Sequence, residues 1–181
     1  MNRSLVLLLV LFQNISDFRT EAKYIFDVSP LTECDNGEPY IAMDMSNFHI
    51  VNQEDGGLFY NGSITYREAY RSPWKIKLSS KHLQRGTWQP GIVNKEMDDF
   101  CTAIRNPMER FLYKTYEKLE KHCPFEAGYQ QNFDMLSIGS FGAIIPPSFA
   151  GDWKFYVNMW VPREGRLDHE CFIFPATVYE V

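Results

Sequence analysis

The sequence predicts a mainly β protein: an antiparallel β-sandwich or cup with a short, disulfide-braced helical insert over an apolar cavity. Three observations lead to this class. Apolar and polar residues alternate along several short segments, a helical pattern is confined to residues 95–122, and four cysteines can brace the chain. Alternation is typical of strands with one buried and one solvated face. Aromatic residues make up 15% of the chain, which indicates a core or cavity lined with rings.

The N-terminal residues have the pattern of a secretory signal peptide. The apolar run over residues 5–12 follows a basic residue and is far shorter than the roughly 20 residues that cross a bilayer. We expect cleavage before Lys23, with an earlier site at Asn14-Ile15-Ser16 as the alternative. The chain then consists of a signal peptide, residues 1–22, and a single domain, residues 23–181. The protein is expected to be secreted and extracellular.

The charge argues against a nucleic-acid partner. The formal net charge is −5, and the sequence has no cluster of lysines or arginines. Because neutralisation of phosphates supplies most of the non-specific affinity for nucleic acids, a mildly acidic chain binds them poorly. We therefore expect no nucleic acid among the partners.

The four cysteines predict two disulfides, because all of them follow the expected signal peptide. Spacing alone does not choose among the three pairings. Local structure favours Cys101 with Cys123, which bracket the helical pattern, and Cys34 with Cys171, which lie near the two ends. A zinc site is the competing interpretation, since His122 adjoins Cys123. No Cys-x-x-Cys pair is present. Neither the spacing of His122 and Cys123 nor that of His169 and Cys171 matches a zinc finger, so we expect no metal.

Period-two patterns mark five strands. In one of them Trp74, Ile76 and Leu78 alternate with polar neighbours. The first of the five segments begins with residues 41–45, and the other four lie at residues 58–66, 74–79, 153–161 and 170–179. Pro175 places the last strand at an edge or a bulge, and the link over residues 162–168 is polar and turn-like. Short links favour antiparallel sheets.

A helical insert is predicted over residues 95–122. Acidic residues at 96, 98 and 99 suit a helix start. Asn106-Pro107 ends this helix and starts a second one, with asparagine as N-cap and proline in the first turn, and Pro124 stops the second helix. The apolar stripe of the insert is explained by packing on a sheet, or alternatively by a flap that covers the mouth of an apolar cavity.

The sequence contains no credible active site. The four histidines are scattered, and neither a His-x-x-x-His pair nor a Gly-x-Ser-x-Gly elbow occurs. With all cysteines oxidised, no thiol nucleophile remains. Asp98-Asp99 is better explained by helix capping than by paired catalytic carboxylates. We expect no enzyme activity, no catalytic residue and no cofactor.

Asn61-Gly62-Ser63 is a candidate acceptor for N-linked glycosylation. It lies on the polar side of a predicted strand or at its turn. Together with the signal peptide, this position makes Asn61 the expected site of modification.

Two segments carry a family resemblance. Residues 99–107, Asp-Phe-Cys-Thr-Ala-Ile-Arg-Asn-Pro, are followed by a helical pattern and His122-Cys123-Pro124. Residues 145–157 run Ile-Pro-Pro-Ser-Phe-Ala-Gly-Asp-Trp-Lys-Phe-Tyr-Val. Both segments resemble insect secreted proteins of the chemosensory B type, a family similar to the GM2-activator and MD-2-related lipid-recognition proteins. The resemblance extends from about Cys34 to Cys171.

The resemblance implies a β-cup around a lipid-sized cavity, with mobile loops and short helices at its rim. It also implies the same disulfide pairing. It further implies a lipid or hydrocarbon-like ligand, a chemosensory receptor as partner, transient contact with membrane surfaces and a monomeric state. The GM2-activators carry additional disulfides in the rim loops, and this chain has no cysteines for them. That departure argues against glycolipid presentation to a lysosomal hydrolase.

Three functions therefore remain in view. The first is a carrier or co-receptor for an apolar cue, such as a pheromone or gustatory compound. The second is an accessory protein that presents lipid to a hydrolase. The third is a protein-interaction module, which predicts a filled interior. Candidate cavity residues, each of which could equally be ordinary core, are Trp74, Ile76, Phe111, Leu112, Trp153, Phe155 and Val157.

Overall fold

The computed structural model describes residues 24–35, 42–53, 57–109, 115, 117–139 and 149–180. These residues form antiparallel strands and one short helix, which confirms the predicted mainly β class. The elements in chain order are β1 (Tyr24–Val28), β2 (Thr32–Glu33), β3 (Met43–Asn52), β4 (Leu58–Tyr66), β5 (Lys75–Gln84), β6 (Thr87–Met97), α1 (Phe100–Ala103), β7 (Gln130–Gly139), β8 (Gly151–Arg163) and β9 (Arg166–Glu180).

The strands form two sheets. The large sheet is six-stranded, has the order β1-β9-β8-β5-β6, and carries β2 as a second partner of β9. The small sheet is three-stranded and has the order β3-β4-β7. Every paired strand is antiparallel to its neighbour. Side chains of both sheets meet in shared core clusters, so the two sheets pack face to face.

Two tight hairpins build most of the large sheet. Arg85 and Gly86 join β5 to β6 with φ of 51° and 76°, and Glu164 and Gly165 join β8 to β9 with φ of 42° and 81°. Positive φ at both central residues is the geometry of a type I′ turn, which matches the twist of the strands it connects. The turn lies within the predicted link over residues 162–168 but is shorter, because strand pairing continues up to the two turn residues.

Pro175 lies inside a strand that has neighbours on both sides. Its carbonyl accepts a hydrogen bond from Ser29 N, in the link between β1 and β2. N–H and C=O of one strand residue point to the same side, so the missing N–H of Pro175 faces a gap between two short partner strands. The prediction of an edge or a bulge at Pro175 is therefore replaced by a break in the neighbouring strand. At this break no partner strand requires a hydrogen bond from the N–H that proline lacks.

Two buried clusters fill the space between the sheets. The first core cluster holds β8 residues Val157, Met159 and Val161 against Met43 and Met45 of β3. The second core cluster holds residues from both sheets and from the segment before β8. Its buried members are Tyr24, Phe26, Leu58, Phe149, Trp153 and Val178.

The helical insert begins later than predicted. Residues 95–97 are the end of β6, where Met97 pairs with Ile76 and Lys95 with Leu78 in β5. Strand pairing therefore overrides the acidic helix-start pattern at these positions. Asp99 is the N-cap of α1, and its side chain accepts a hydrogen bond from Cys101 N at 3.1 Å.

The second predicted helix lies largely outside the described residues. Asn106 accepts a hydrogen bond from Met108 N at 3.0 Å, as its predicted capping role requires, but residues 107–109 form a turn. Residues 117–118 form a turn and 120–121 a bend, not the helix end that was predicted there. The signal peptide (residues 1–22), Ile41, Phe111, Leu112 and residues 145–148 also lie outside the described residues.

The disulfides join Cys34 to Cys171 and Cys101 to Cys123, which confirms the predicted pairing. The first ties the segment after β2 to β9, and the second ties α1 to the link before β7. Their sequence separations are 137 and 22 residues.

The unequal loops make the two disulfides unequal in effect. Loop-closure entropy limits the stabilisation to about 5 kcal/mol for the longer loop and about 3 kcal/mol for the shorter one. We expect the double variant Cys34→Ala/Cys171→Ala to lose more unfolding free energy than Cys101→Ala/Cys123→Ala, measured by urea denaturation of the mature domain. A larger loss for the second variant would contradict this ranking.

Candidate functional site

Six apolar side chains between the sheets remain partly exposed, and we call them the inner belt. They lie between the first and the second core cluster and pack against one or the other. The inner belt consists of Leu78, Phe155 and Phe174 on the large sheet and Phe48, Ile50 and Tyr60 on the small sheet.

Partial exposure is unexpected at the belt positions of the large sheet. Phe155 and Phe174 are direct cross-strand partners in β8 and β9, and both strands have neighbours on either side. Their neighbours on the same face, Val157, Phe172 and Ala176, are buried. A side chain in this setting remains exposed only if the opposite sheet does not press against it.

The rings of the belt contact rings of their own sheet. Phe155 lies 5.8 Å from Trp153, and Phe174 lies 5.2 Å from Phe172, between ring centroids. On the small sheet Phe48 and Tyr60 lie 5.2 Å apart, and both contact a third ring of that sheet, on β7. Among the described belt rings, no ring contact joins the two sheets.

A hollow opens beside the belt at one edge of the sandwich. It has a volume of about 100 Å³ and lies between residues 28–31, which link β1 to β2, and residues 48–50 of β3. Phe48 and Ile50 therefore belong to both the hollow and the inner belt. Below it the two sheets are joined, because the Asn52 side-chain amide donates a hydrogen bond to the Phe26 carbonyl.

The surroundings of the belt are apolar. Burial raises the pKa of Tyr60 to about 12, as expected for a phenol whose ionised form is poorly solvated. The Tyr60 hydroxyl therefore stays neutral at physiological pH.

The structure separates the sequence-predicted cavity residues into two groups. Trp74 and Ile76 are buried in the first core cluster, Val157 is buried there too, and Trp153 is buried in the second. Only Phe155, of the candidates that the structure describes, belongs to the partly exposed belt. Sequence reasoning assigned no cavity role to the other five belt residues, although Leu78 and Tyr60 are part of the alternating patterns.

Aromatic ring contacts lie at each end of the belt, tilted or edge-to-face at Trp74 and stacked at Trp153. At one end the Trp74 ring lies 4.8 Å from both Tyr70 and Phe100. At the other end Trp153 stacks on His82 at 4.2 Å and on Phe149 at 4.3 Å, and its Nε1 donates to the Phe149 carbonyl. The belt is thus bounded by aromatic packing on both sides.

Beyond Trp74 an ion cluster is buried on the inner face of the large sheet. Arg163 (8% exposed) forms ion pairs with Glu170 (2% exposed), with Asp168 at 3.0 Å and with Glu68 at 2.9 Å. The Tyr70 hydroxyl donates a hydrogen bond to Glu170, and the guanidinium lies over the Tyr70 ring at 5.0 Å. These contacts occupy the charged groups with one another.

The cluster shifts the pKa of several of its members. Burial, and then the neighbouring Glu170, raise the pKa of Tyr70 far above its ordinary value. Burial opposes the charge of Arg163, but Glu170 and Asp168 outweigh it, and the pKa of Arg163 is raised. A hydrogen bond from Arg163 lowers the pKa of Asp168. Tyr70 therefore stays neutral and Arg163 stays charged.

Comparison with family models and with curated proteins found no match for the chain. The two disulfides fit an extracellular protein. Within the described ranges, no helix is long and apolar enough to cross a membrane. The same residues contain no group of three or more potential metal ligands.

The buried ion cluster predicts a large loss of stability when its cation is removed. Arg163→Met leaves Glu170 buried without its partner, and the loss of unfolding free energy is expected to be about 3–5 kcal/mol. Adding Glu170→Gln should recover much of it. The control is Arg166→Met, since Arg166 is 69% exposed and pairs with the same Asp168, and its loss should stay below about 1 kcal/mol. Similar losses for Arg163→Met and Arg166→Met in urea denaturation would contradict a buried role.

The lowered pKa of Asp168 gives the pH dependence its sign. Asp168 stabilises the fold when ionised, so its contribution is present above the ordinary aspartate pKa of about 4 and is lost as the pH falls through the lowered value. Asp168→Asn should therefore flatten the acid limb of the stability curve.

Proposed function

We propose that this protein is a secreted, non-enzymatic protein that binds a lipid or another apolar small molecule between its two sheets. The observation that carries the proposal is the inner belt. Its side chains face each other across the sandwich, keep accessible surface, and make their ring contacts within each sheet. An apolar ligand would complete the packing that the two sheets leave unfinished.

The energetics favour an occupied interior over a void. Protein interiors pack to the density of organic crystals, and side chains that line an empty space lose their dispersion contacts on that side. A hydrocarbon chain that enters such a space gains about 0.8 kcal/mol per CH₂ removed from water. The Tyr60 hydroxyl is the one polar group of the belt, and apolar burial alone is sufficient for binding.

The hollow beside β3 suits the mouth of the site. It is bounded by Leu31 of the β1–β2 link and by Phe48 and Ile50 of the belt, so part of its lining adjoins the belt. His49 and Ser29 add polar atoms at the same opening. An amphiphile could therefore place its chain between the sheets and its polar end at the mouth.

The chemosensory role rests on the resemblance of residues 99–107 and 145–157 to the chemosensory B type. It predicts a pheromone, hydrocarbon or gustatory cue as ligand. Native mass spectrometry of the protein purified from its own source, after mild extraction, should show a co-purifying lipid-like compound. An interior that remains free of ligand, and from which organic extraction releases nothing, would favour a protein-interaction module instead.

A bulky side chain in the belt is expected to compete with the ligand. Leu78→Trp should weaken the binding of a fluorescent fatty-acid probe by about tenfold or more, since the indole fills space between the sheets. Lys77→Trp is the matched control, because successive strand side chains point to opposite faces and Lys77 is exposed on the outer face. Its affinity should remain within about twofold of the wild type. Equal weakening by both variants would show that the probe binds elsewhere.

Asn61 is proposed as the site of N-linked glycosylation. It lies in β4 opposite His49, and the exposure of His49 places this pair on the outer face of the small sheet. The protein secreted from eukaryotic cells should lose apparent mass on enzymatic removal of N-glycans, and Asn61→Gln should abolish that change. Asn132→Gln, on the exposed face of β7, is the control and should leave it intact. A glycan that persists in Asn61→Gln would exclude this site.

A further inference from the structure

A second concave surface lies outside the inner belt, on the outside of the cross-linked end of the fold. It has a volume of about 290 Å³ and is lined by Arg71 and Ser72 before β5, by Thr102 and Arg105 in and after α1, and by the Cys101–Cys123 disulfide. Two arginines therefore line one small depression.

The walls of this depression are fixed. The disulfide joins α1 to the segment after residue 122, and Arg105 Nη2 donates a hydrogen bond of 2.8 Å to the Cys123 carbonyl. Asp99 ties the opposite wall, because its Oδ2 accepts hydrogen bonds from the Ser72 and Thr102 hydroxyls at 2.8 and 2.7 Å. A ligand would therefore meet a preformed surface and would not have to order it.

The charge at this surface is positive and available. Among the residues that the structure describes, no carboxylate lies within 4.0 Å of the guanidinium of Arg71 or Arg105. Asp99 is the acidic neighbour, but it is not part of the lining, and each of its oxygens accepts two hydrogen bonds. These bonds lower the pKa of Asp99 against the opposing effect of burial, so its charge is held by the protein itself.

We infer that the depression binds a phosphate group through Arg71 and Arg105. Guanidinium groups present N–H donors in a planar fork that matches two oxygens of a phosphate, and such charge-assisted bonds are stronger than neutral ones. The volume accommodates a phosphate monoester or diester. This inference is independent of the proposed interior ligand.

An exposed methionine makes a lipid headgroup one of two sources for the phosphate. Met108 follows Arg105 by three residues and is 86% exposed, the most exposed large apolar side chain among the described residues. An apolar side chain beside cationic groups suits the interface of an anionic bilayer, where the side chain enters the headgroup layer. The other source is free phosphate or a soluble phosphate ester.

The experiment uses the disulfide-bonded mature protein and two probes. Inorganic phosphate is titrated while the arginine Nε–H signals are followed by NMR, and vesicles of phosphatidylglycerol in phosphatidylcholine are compared with pure phosphatidylcholine in a sedimentation assay. We expect saturable shifts of Arg71 and Arg105 with phosphate. Arg71→Gln should weaken phosphate binding by about tenfold, since it removes a charged hydrogen-bond donor.

Three further variants test the bidentate geometry, the effect of net charge and the role of the exposed methionine. Arg105→Lys keeps the charge and loses the bidentate geometry, so it should also weaken phosphate binding. Arg85→Gln removes one positive charge at the β5–β6 turn, at the other end of β5, and should change binding by less than about twofold. Met108→Ser should reduce vesicle binding and leave the phosphate titration unchanged.

The outcomes are decisive in both directions. Phosphate binding without a preference for anionic vesicles identifies a soluble phosphate ligand, and binding in both assays identifies a lipid headgroup. Both results support the site. The inference is overturned if the phosphate titration produces no saturable shift, or if Arg71→Gln and Arg85→Gln weaken binding equally.

Discussion

The pairing of β8 with β9 is the interaction on which the remaining structure depends. The two strands keep one register from the Gly151–Val178 pair to the Arg163–Arg166 pair, without a shift. β5 pairs with the other side of β8, and β1 and β2 pair with the other side of β9. The hairpin therefore lies at the centre of the large sheet, and its inner face carries residues of both core clusters, of the belt and of the ion cluster.

The inner face of this hairpin carries fully buried residues towards its two ends and the partly exposed belt residues Phe155 and Phe174 between them. Trp153, at one end, stacks between His82 and Phe149, and Met159, towards the other end, is buried against the small sheet. Phe155 and Phe174 lie between these ends and meet no ring of the opposite sheet among the described residues. The partial exposure of Phe155 and Phe174 coincides with no irregularity in the hairpin, since its register is continuous.

The sequence predicted the central strands and the edge strand β3, and missed the other edge strands. Trp153 to Val161 and Leu58 to Tyr66 show alternation because the inner face of each strand packs in the core. β6 was not predicted because it is an edge strand whose residues are mostly exposed. It also carries Pro90. β1 and β7 are edges as well. The belt was missed for another reason, because alternation identifies an inward-facing residue such as Phe174 but contains no information on whether the opposite sheet reaches it. The disulfide pairing was predicted from local structure, since Cys101 and Cys123 bracket the predicted helical pattern.

The Cys34–Cys171 disulfide also bears on how a ligand could reach the belt. Residues 28–31, one wall of the hollow, are held by β1 pairing before them and by this disulfide soon after them. Asp35 reinforces the attachment, because Tyr156 and Lys154 of β8 both donate hydrogen bonds to its carboxylate. Those bonds lower the pKa of Asp35 and keep it charged. The opposite wall is β3, an edge strand of the small sheet. The wall at residues 28–31 is therefore anchored to the central hairpin through the disulfide, and the β3 wall is anchored to β1 through the hydrogen bond from the Asn52 amide to the Phe26 carbonyl.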